Sequence, residues 1–479
     1  MREDQNTPDV KLSTLGKPLP VHVGMSKMKK KISSETLFGL KQKHDFSETV
    51  IDSIAAACRK DLGRSGVQSN SSSNIKEWSH SLDSFYSVEK IDFVVKERVG
   101  TKYVTRTVTK DLVYVNDVTA LVFHICGMRK IDPVDALVRV GIDGGGGSLK
   151  LIMNIFVPET TESQKVKDTG VKKVIYIAAV KDIPESHHNM SILFEKTHLN
   201  DLKFHIASDL KLLNIILGIS AHGGKHSCLY CNGTVDTPGE LRTFGDLSKC
   251  YNEYKENGYK NMKQFDNIIQ PCLLKEPQEK LVLDVIPPAE LHLLMKIVTV
   301  CSLLLCNGAL VSEWFKKNGI SFHGYNGGGL DGRNSNKVLK KLSDLNIFVT
   351  ENCPEYLPVV GLLFKFEQVV FACFGMNLVD GYQLTIEEFS NELKFATVYV
   401  EKNLNSNLRF GWKGHILLHH VQPFLDHTQT SLGVYSEQCS EAVHCNFKKT
   451  YQRYASNEDH EDHGIKLKKA VSSYSSMRI

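Results

Sequence analysis

The sequence predicts an α/β protein in which a mixed sheet is interrupted by a large, mostly α-helical insertion. Three observations predict it. β-rich segments follow one another closely at residues 137–142, 149–156 and 173–179. Segments of helical period fill most of residues 232–410. A Cys-x-x-Cys pair, Cys228 and Cys231, stands where the first pattern gives way to the second.

Length and composition set the frame. With 479 residues, 42% hydrophobic and 23% charged, the chain is long enough for two or three domains and a substantial core. Its longest apolar run, residues 297–306, is broken by Thr299 and Ser302. That is far short of the ~20 apolar residues of a membrane span, so a soluble protein with no membrane partner is expected. The first residues are polar and lack the apolar core of a secretory signal, which points to a reducing compartment. There, the close pair among the 12 cysteines reads as a metal site rather than a disulfide, and Cys301, Cys306 and Cys373 read as core residues. A net charge of +4 with pI 8.3 permits nucleic-acid binding without demanding it. Local charge says more: residues 27–31 hold four lysines, and Lys448, Lys449 and Arg453 lie among tyrosines near the C-terminus. The ordinary reading of each run is a solvated face.

In chain order, residues 1–80 read as a flexible polar lead with one short helix at 34–43 and a Ser, Gly and Asn-rich stretch at 65–73. Residues 81–135 read as a small accessory or DNA-contacting region, alternating charged and β-branched residues from 91 to 115, with a short helix at 133–138. Residues 136–231 follow as the first part of the core. The three strands are succeeded by a helix at 189–202, a fourth strand at 204–207 and a helix at 210–217. This βββαβα order is that of an RNase H-like core, whose first and fourth strands lie side by side. Residues 232–410 form the insertion, with helices at 291–305, 337–342, 356–375 and 385–401. Residues 411–455 carry a histidine pair and a last helix from 435 to 454, and 456–479 read as a polar tail.

The chemistry-bearing residues sit at the joints of this scheme. Asp143 closes the apolar strand VRVGID and opens onto Gly144 to Gly147, where no side chain obstructs a ligand; a turn aspartate before glycines is the plain alternative. Asp209 closes KFHIASD and opens a helix, where it can equally serve as an N-cap. Two aspartates at the ends of adjacent strands point at one spot, with oxygen donors suited to hard cations. The CxxC needs two more ligands for a tetrahedral site. In GHILLHH, His415 and His420 have the spacing of zinc histidines, with His419 as the adjacent alternative. Glu441 lies in YSEQCSEAVHCNFKK with Glu437 one turn earlier, and the residues alone leave the two in competition.

Taken together, residues 136–455 resemble the catalytic subunit of the V(D)J recombinase and its Transib-type transposase relatives. The likeness rests on Asp143-Gly144 after an apolar strand, Asp209 upstream of the CxxC, Ile286-Pro-Pro-Ala-Glu-Leu-His292, Gly332-Arg-Asn-Ser-Asn-Lys-Val-Leu339, the His415 and His420 pair, and Ser431-Leu-Gly-Val-Tyr. The resemblance implies an RNase H-like fold with a zinc-bearing helical insertion and a DDE site of Asp143, Asp209 and Glu441 on two Mg²⁺ or Mn²⁺ ions. Counting on from the histidines as in that family favours Glu441 over Glu437. It also implies one structural Zn²⁺ on Cys228, Cys231, His415 and His420, and phosphate contacts from Lys448, Lys449 and Arg453. The expected activity is DNA nicking and strand transfer at element ends, by a nuclear homodimer acting on element and target DNA. The alternative is a catalytically inactive derivative that binds DNA or protein. Residues before 136 carry no recognisable DNA-end-binding module.

Overall fold

The computed structural model describes residues 31–479 apart from 45, 64–65, 69, 146, 221–225, 324–327 and 455–459. It also describes the backbone of two short antiparallel strands, β1 (Val10–Leu12) and β2 (Leu19–Val21). Contacts divide the chain into two units, Met1–Tyr86 with Thr450–Ile479, and Ser87–Lys449. The basic residues Lys27 to Lys30 lie outside the described residues, and Lys31 is exposed.

The described part of the expected flexible lead is folded. The one short helix anticipated is α1 (Ser34–His44), and α2 (Glu48–Leu62) and α3 (Ser71–Ser79) follow it. Ile51, Ile54, Ala55 and Cys58 recur at helical spacing along α2 and pack with Ile32, Leu37, Val67 and Ile75 into a small core. Ser47 fixes the start of α2 by accepting the Val50 N–H. The stripe is narrow and the rest of each helix polar, so average composition concealed it. Between α3 and the next element, His80 lies 3.3 Å from Asp83 and 3.6 Å from Glu48. Hydrogen bonds to Asp83 and then Glu48 push its pKa up to about 9.

The second unit is built on a six-stranded mixed sheet of order β3-β4-β7-β6-β5-β8. Its strands are β3 (Tyr86–Val99), β4 (Lys102–Val115), β5 (Leu137–Asp143), β6 (Ser148–Phe156), β7 (Ile175–Lys181) and β8 (His205–Ala207). β5 pairs antiparallel with β6, β6 with β7 and β7 with β4, while β8 runs parallel to β5 through Arg139↔His205 and Val140↔Ile206. β6 and β7 are buried along nearly their whole length, as expected of central strands covered on both faces. Region 81–135 is therefore not a separate accessory body: the hairpin β3–β4 extends the same sheet. No helix forms at 133–138. The helix lies earlier, at α4 (Val118–Arg129), capped by Asp117 and ended by Lys130 in the left-handed conformation (φ 56°). After α5 (Glu162–Asp168), α6 (His187–Lys196) is shorter than anticipated, and α7 (Leu210–Leu217) matches its expected span.

The insertion carries α8 (Phe244–Glu256), α9 (Glu290–Leu305), α10 (Ala309–Lys317), α11 (Gly332–Leu339), α12 (Leu342–Asn352), α13 (Leu357–Cys373) and α14 (Tyr382–Asn403). By length and composition alone Pro354–Cys373 could cross a membrane, yet half of it is buried in the fold, where α13 packs on α14, α12 and α9. Helices α15 (Trp412–His419), α16 (Val421–Thr428) and α17 (Gln438–Tyr454) then return the chain to the sheet. The expected polar tail contains α18 (His463–Ser476), which buries Leu467, Ala470, Val471 and Tyr474 on one face. The Ser476 hydroxyl accepts the Leu82 N–H at 3.1 Å, and the Tyr86 hydroxyl donates to Ser475 at 2.9 Å.

Because the His80 pKa rises on folding, its contribution is complete below the unfolded value of about 6.5 and is lost as pH climbs through about 9. Amide exchange in α2 and α3, corrected for intrinsic rates, should lose protection across that window in the full chain. His80→Gln should flatten the dependence.

Candidate metal centre and carboxylate site

Alternation along β5 puts Arg139, Gly141 and Asp143 on one face, and the segment leading into α17 lies against that face. Arg139, 2% exposed, donates to the Val434 carbonyl at 2.9 Å, to Asn154 Oδ1 at 2.8 Å and to the Thr169 carbonyl at 2.6 Å, and it contacts Cys439 Sγ at 2.9 Å. Two residues on, a Cβ at Gly141 would stand 2.1 Å from Ser440 Oγ. Only glycine lets the helix lie this close to the strand. At the strand end, Asp143 Oδ1 accepts the Gly145 N–H at 3.0 Å, and Oδ2 lies 2.9 Å from Nζ of Lys150, its fully buried cross-strand partner. Burial pulls the Lys150 pKa down and the Asp143 charge opposes it. Gly144 donates its N–H to Glu185 at 3.1 Å, and a side chain there would collide with that carboxylate.

Asp209 caps α7 by accepting the Leu212 N–H at 2.7 Å, and the adjacent Ser208 hydroxyl donates to the Ile142 carbonyl at 2.6 Å, holding the two strand ends together. Glu441, on the first turn of α17, is half exposed. Its carboxyl is pushed up to about 7, first by burial and then by the negative charges of Asp143, Asp209 and Glu290. Screening confines such an effect to short range, so the three acids chosen from sequence share one region. Their oxygens are not drawn into a tight cluster. Among the described residues, the group whose ligand atoms all lie within 4.8 Å of one another is the Cys and His set instead.

The rival Glu437 has a different task. It is 2% exposed and accepts the His292 N–H at 3.1 Å, which caps the N-terminus of α9. In return Glu290, in the first turn of α9, accepts from Ser436 Oγ at 2.7 Å and Gln438 Nε2 at 3.3 Å at the start of α17. Each helix start is thus held by a carboxylate from the other. Burial raises both pKa values, and the Glu290 charge raises Glu437 further. His292 Nε2 lies 3.5 Å from Glu441 Oε1. Burial and then the Lys413 charge push the His292 pKa down to about 4, so near pH 7 the imidazole is neutral and this contact is not an ion pair. Lys413, on α15, is itself depressed by burial and the neighbouring Lys296, while Glu437, Asp209 and Glu441 hold it up.

Cys228, Cys231, His415 and His420 are all buried with converging donor atoms. Cys228 Sγ to His420 Nε2 and Cys231 Sγ to His415 Nε2 are each 3.3 Å, and the two Nε2 atoms are 3.1 Å apart. Tetrahedral zinc requires about 3.6 Å between sulfur and nitrogen and about 3.3 Å between nitrogens, given its bond lengths. The set is compatible with that ion. Backbone N–H groups of Tyr230 and Gly233 point at the two sulfurs at 3.4 Å, which favours thiolate. The buried Arg242 guanidinium braces the CxxC turn, its Nε donating to the carbonyls of Cys228 at 3.2 Å and Cys231 at 2.9 Å. His419 is outside the set: it is half-buried and only packs on the His415 ring at 5.0 Å.

A family model described as a domain of unknown function (DUF8703) matches residues 95–238. Among curated proteins, none matches the chain. The matched stretch takes in Asp143, Asp209 and both cysteines, and stops short of the histidines and Glu441. Lys448, Lys449 and Arg453 are exposed along α17. Arg139, Lys150, Arg242, Glu290 and Lys413 were not selected from the sequence. The one signal available was a charged residue inside an apolar segment, as with Arg139 in LVRVGID or Lys150 in SLKLIM.

Gly141→Ala should destabilise the protein by about 1–3 kcal/mol, as overpacking does. Adding Ser440→Ala should recover part of that loss in denaturant titrations. The wild-type chain should retain one zinc through dialysis, by metal analysis. Cys228→Ala and His420→Ala should lose it, and His419→Ala should keep it.

Proposed function

We propose that Ser87–Lys449 contains an RNase H-like core and that the protein is a DDE-type DNA transposase or recombinase. One observation carries the reading: α17 lies directly on β5 at Gly141 and Ser440, which sets Glu441 beside the strand ending in Asp143. The sheet supports it, because the antiparallel run β5-β6-β7 with β8 parallel beside β5 is the arrangement expected of that core. Asp143, Asp209 and Glu441 would be the residues that hold the divalent ions. Bound there, Mg²⁺ or Mn²⁺ supplies activation of water or a 3′-hydroxyl and stabilisation of the leaving oxygen. Lys448, Lys449 and Arg453 extend the same helix as phosphate contacts. The Cys and His set is structural, since four protein ligands leave no open position, and it ties α15 to the CxxC turn.

A second reading, a non-catalytic scaffold that binds DNA or protein, draws on the ion pair of Asp143 with buried Lys150, which already gives that carboxylate a counter-charge.

Wild-type protein should nick a mixed-sequence supercoiled plasmid with Mn²⁺, and Asp143→Asn, Asp209→Asn and Glu441→Gln should each fall to background with far-ultraviolet spectra unchanged. Retained nicking in Asp143→Asn would sink the assignment. Zinc and DNA binding without any nicking favours the scaffold. Because Glu441 must lose its proton to bind a cation, Mn²⁺ affinity measured by calorimetry should weaken as pH falls through about 7.

A further inference from the structure

The hairpin β3–β4 reaches beyond the sheet that it extends. β4 is held to β7 through Val113 and Tyr114, and β3 is closed on its outer edge at Val94, whose N–H and carbonyl are both taken by the Asn189 side chain. Beyond Val94 the two strands continue to a two-residue turn at Gly100 and Thr101, a projection of about 20 Å at the rise of an extended strand. Residues 96–98 and 100–107 are exposed throughout. Tyr103 is 72% and Val104 43% exposed, although nothing in the sheet requires an aromatic there.

The charge on this ribbon is predominantly positive. Residues 95–107 contain Lys96, Arg98, Lys102 and Arg106 against the single acid Glu97. Arg106 pairs with Glu97 at 2.9 Å, so those two share a face. Alternation then puts Lys102 on that face and Lys96 and Arg98 on the opposite one. Cations therefore project from both faces of a ribbon whose strands are about 4.8 Å apart. A duplex groove presents phosphates on both walls, and the major groove, about 12 Å wide, admits a two-stranded ribbon. Lysines on an edge strand also discourage edge-to-edge aggregation. That purpose calls for neither cations on both faces nor an exposed tyrosine at the tip.

We propose that the 95–107 ribbon is a DNA-binding arm that enters a duplex groove, with Lys96, Arg98, Lys102 and Arg106 on the backbone phosphates and Tyr103 at the groove floor. The arm is separate from the carboxylate site and goes beyond the phosphoryl-transfer reading, since it requires no divalent ion and no cleavage.

The test is fluorescence anisotropy of the full chain with a mixed-sequence duplex of about 30 base pairs, titrated across KCl without added Mg²⁺ or Mn²⁺. Replacing Lys96, Arg98, Lys102 and Arg106 together by Ala should weaken binding about tenfold or more at 0.1 M salt and lower the slope of log K against log salt by about 3–4. A control with the same charge change at the exposed Lys249, Lys255, Lys260 and Lys263 should leave both nearly unchanged. Tyr103→Ala should weaken binding severalfold at constant slope. The proposal is overturned by an unchanged slope in the ribbon variant, by an equal loss in the control, by tighter binding to single-stranded DNA or RNA of the same length, or by no wild-type binding. Loss of nicking with duplex binding intact would remove the catalytic reading and leave the arm standing.

Discussion

The buried guanidinium of Arg139 is the constraint around which the second unit is organised. A charge with five donors cannot be taken from water into the middle of a central strand unless nearly every donor finds an acceptor. Here the acceptors come from four places at once: Asn154 on β6, the Thr169 carbonyl after α5, the Val434 carbonyl before α17, and the Cys439 sulfur within it. Satisfying one side chain therefore fixes α17 against the sheet at a defined height. The same strand face then allows the helix to close in at Gly141 and brings Glu441 towards Asp143 two residues further on. Helix and strand are joined by a polar fixture and a glycine contact, not by apolar packing alone.

The insertion complicates this, because its long excursion separates the sheet from the helix that completes the site. Two fixtures return the chain to register. Cys228 and His420, 192 residues apart, meet in the buried Cys and His set, and a closure of that length is favoured only when its contact is strong. Nearby, the carboxylates exchanged between α9 and α17 set the two helix starts against each other. Because α15 carries both His415 and Lys413, whatever holds the first also holds the second among Asp209, Glu437 and Glu441.

What was legible in the sequence follows the range of the interactions involved. The strands β5, β6 and β7 and the helix α7 declare themselves in their own residues, through apolar runs bounded by glycines and caps. The four Cys and His residues were legible because ligand spacing within each of two short segments is a local property, although His420 lies at the joint between α15 and α16 rather than on a helix. Glu437 and Glu441 were not separable by local pattern, since they sit one turn apart on the same segment. Their roles divide only when α9 presents the His292 N–H to one and β5 presents Asp143 to the other. For the same reason β3 and β4 read as an accessory region: membership in the sheet is decided by the pairing of β4 with β7, where Tyr114 meets Ala178, 178 − 114 = 64 residues away. The helices α2 and α3 are not legible in the sequence because the narrow apolar stripe of α2, Ile51, Ile54, Ala55 and Cys58, contributes little to average composition.

The two candidate sites differ in how closely the fold packs their donor atoms. The Cys and His donors lie 3.1–3.3 Å apart across the set, with the CxxC turn fixed by its own N–H groups and by Arg242. Carboxylates carry full charges, and closing them to a comparable distance costs several kcal/mol in a partly desolvated setting. The carboxylate site answers that cost in three ways: Lys150 neutralises Asp143, the α7 N-terminus takes Asp209, and Glu441 is biased towards its protonated form. Each of these interactions offsets part of the repulsion among the three acids, and Glu441 is half exposed. The Cys and His donors are thus packed to contact distance, whereas the three carboxylates are held near one another by the fold without closing to it.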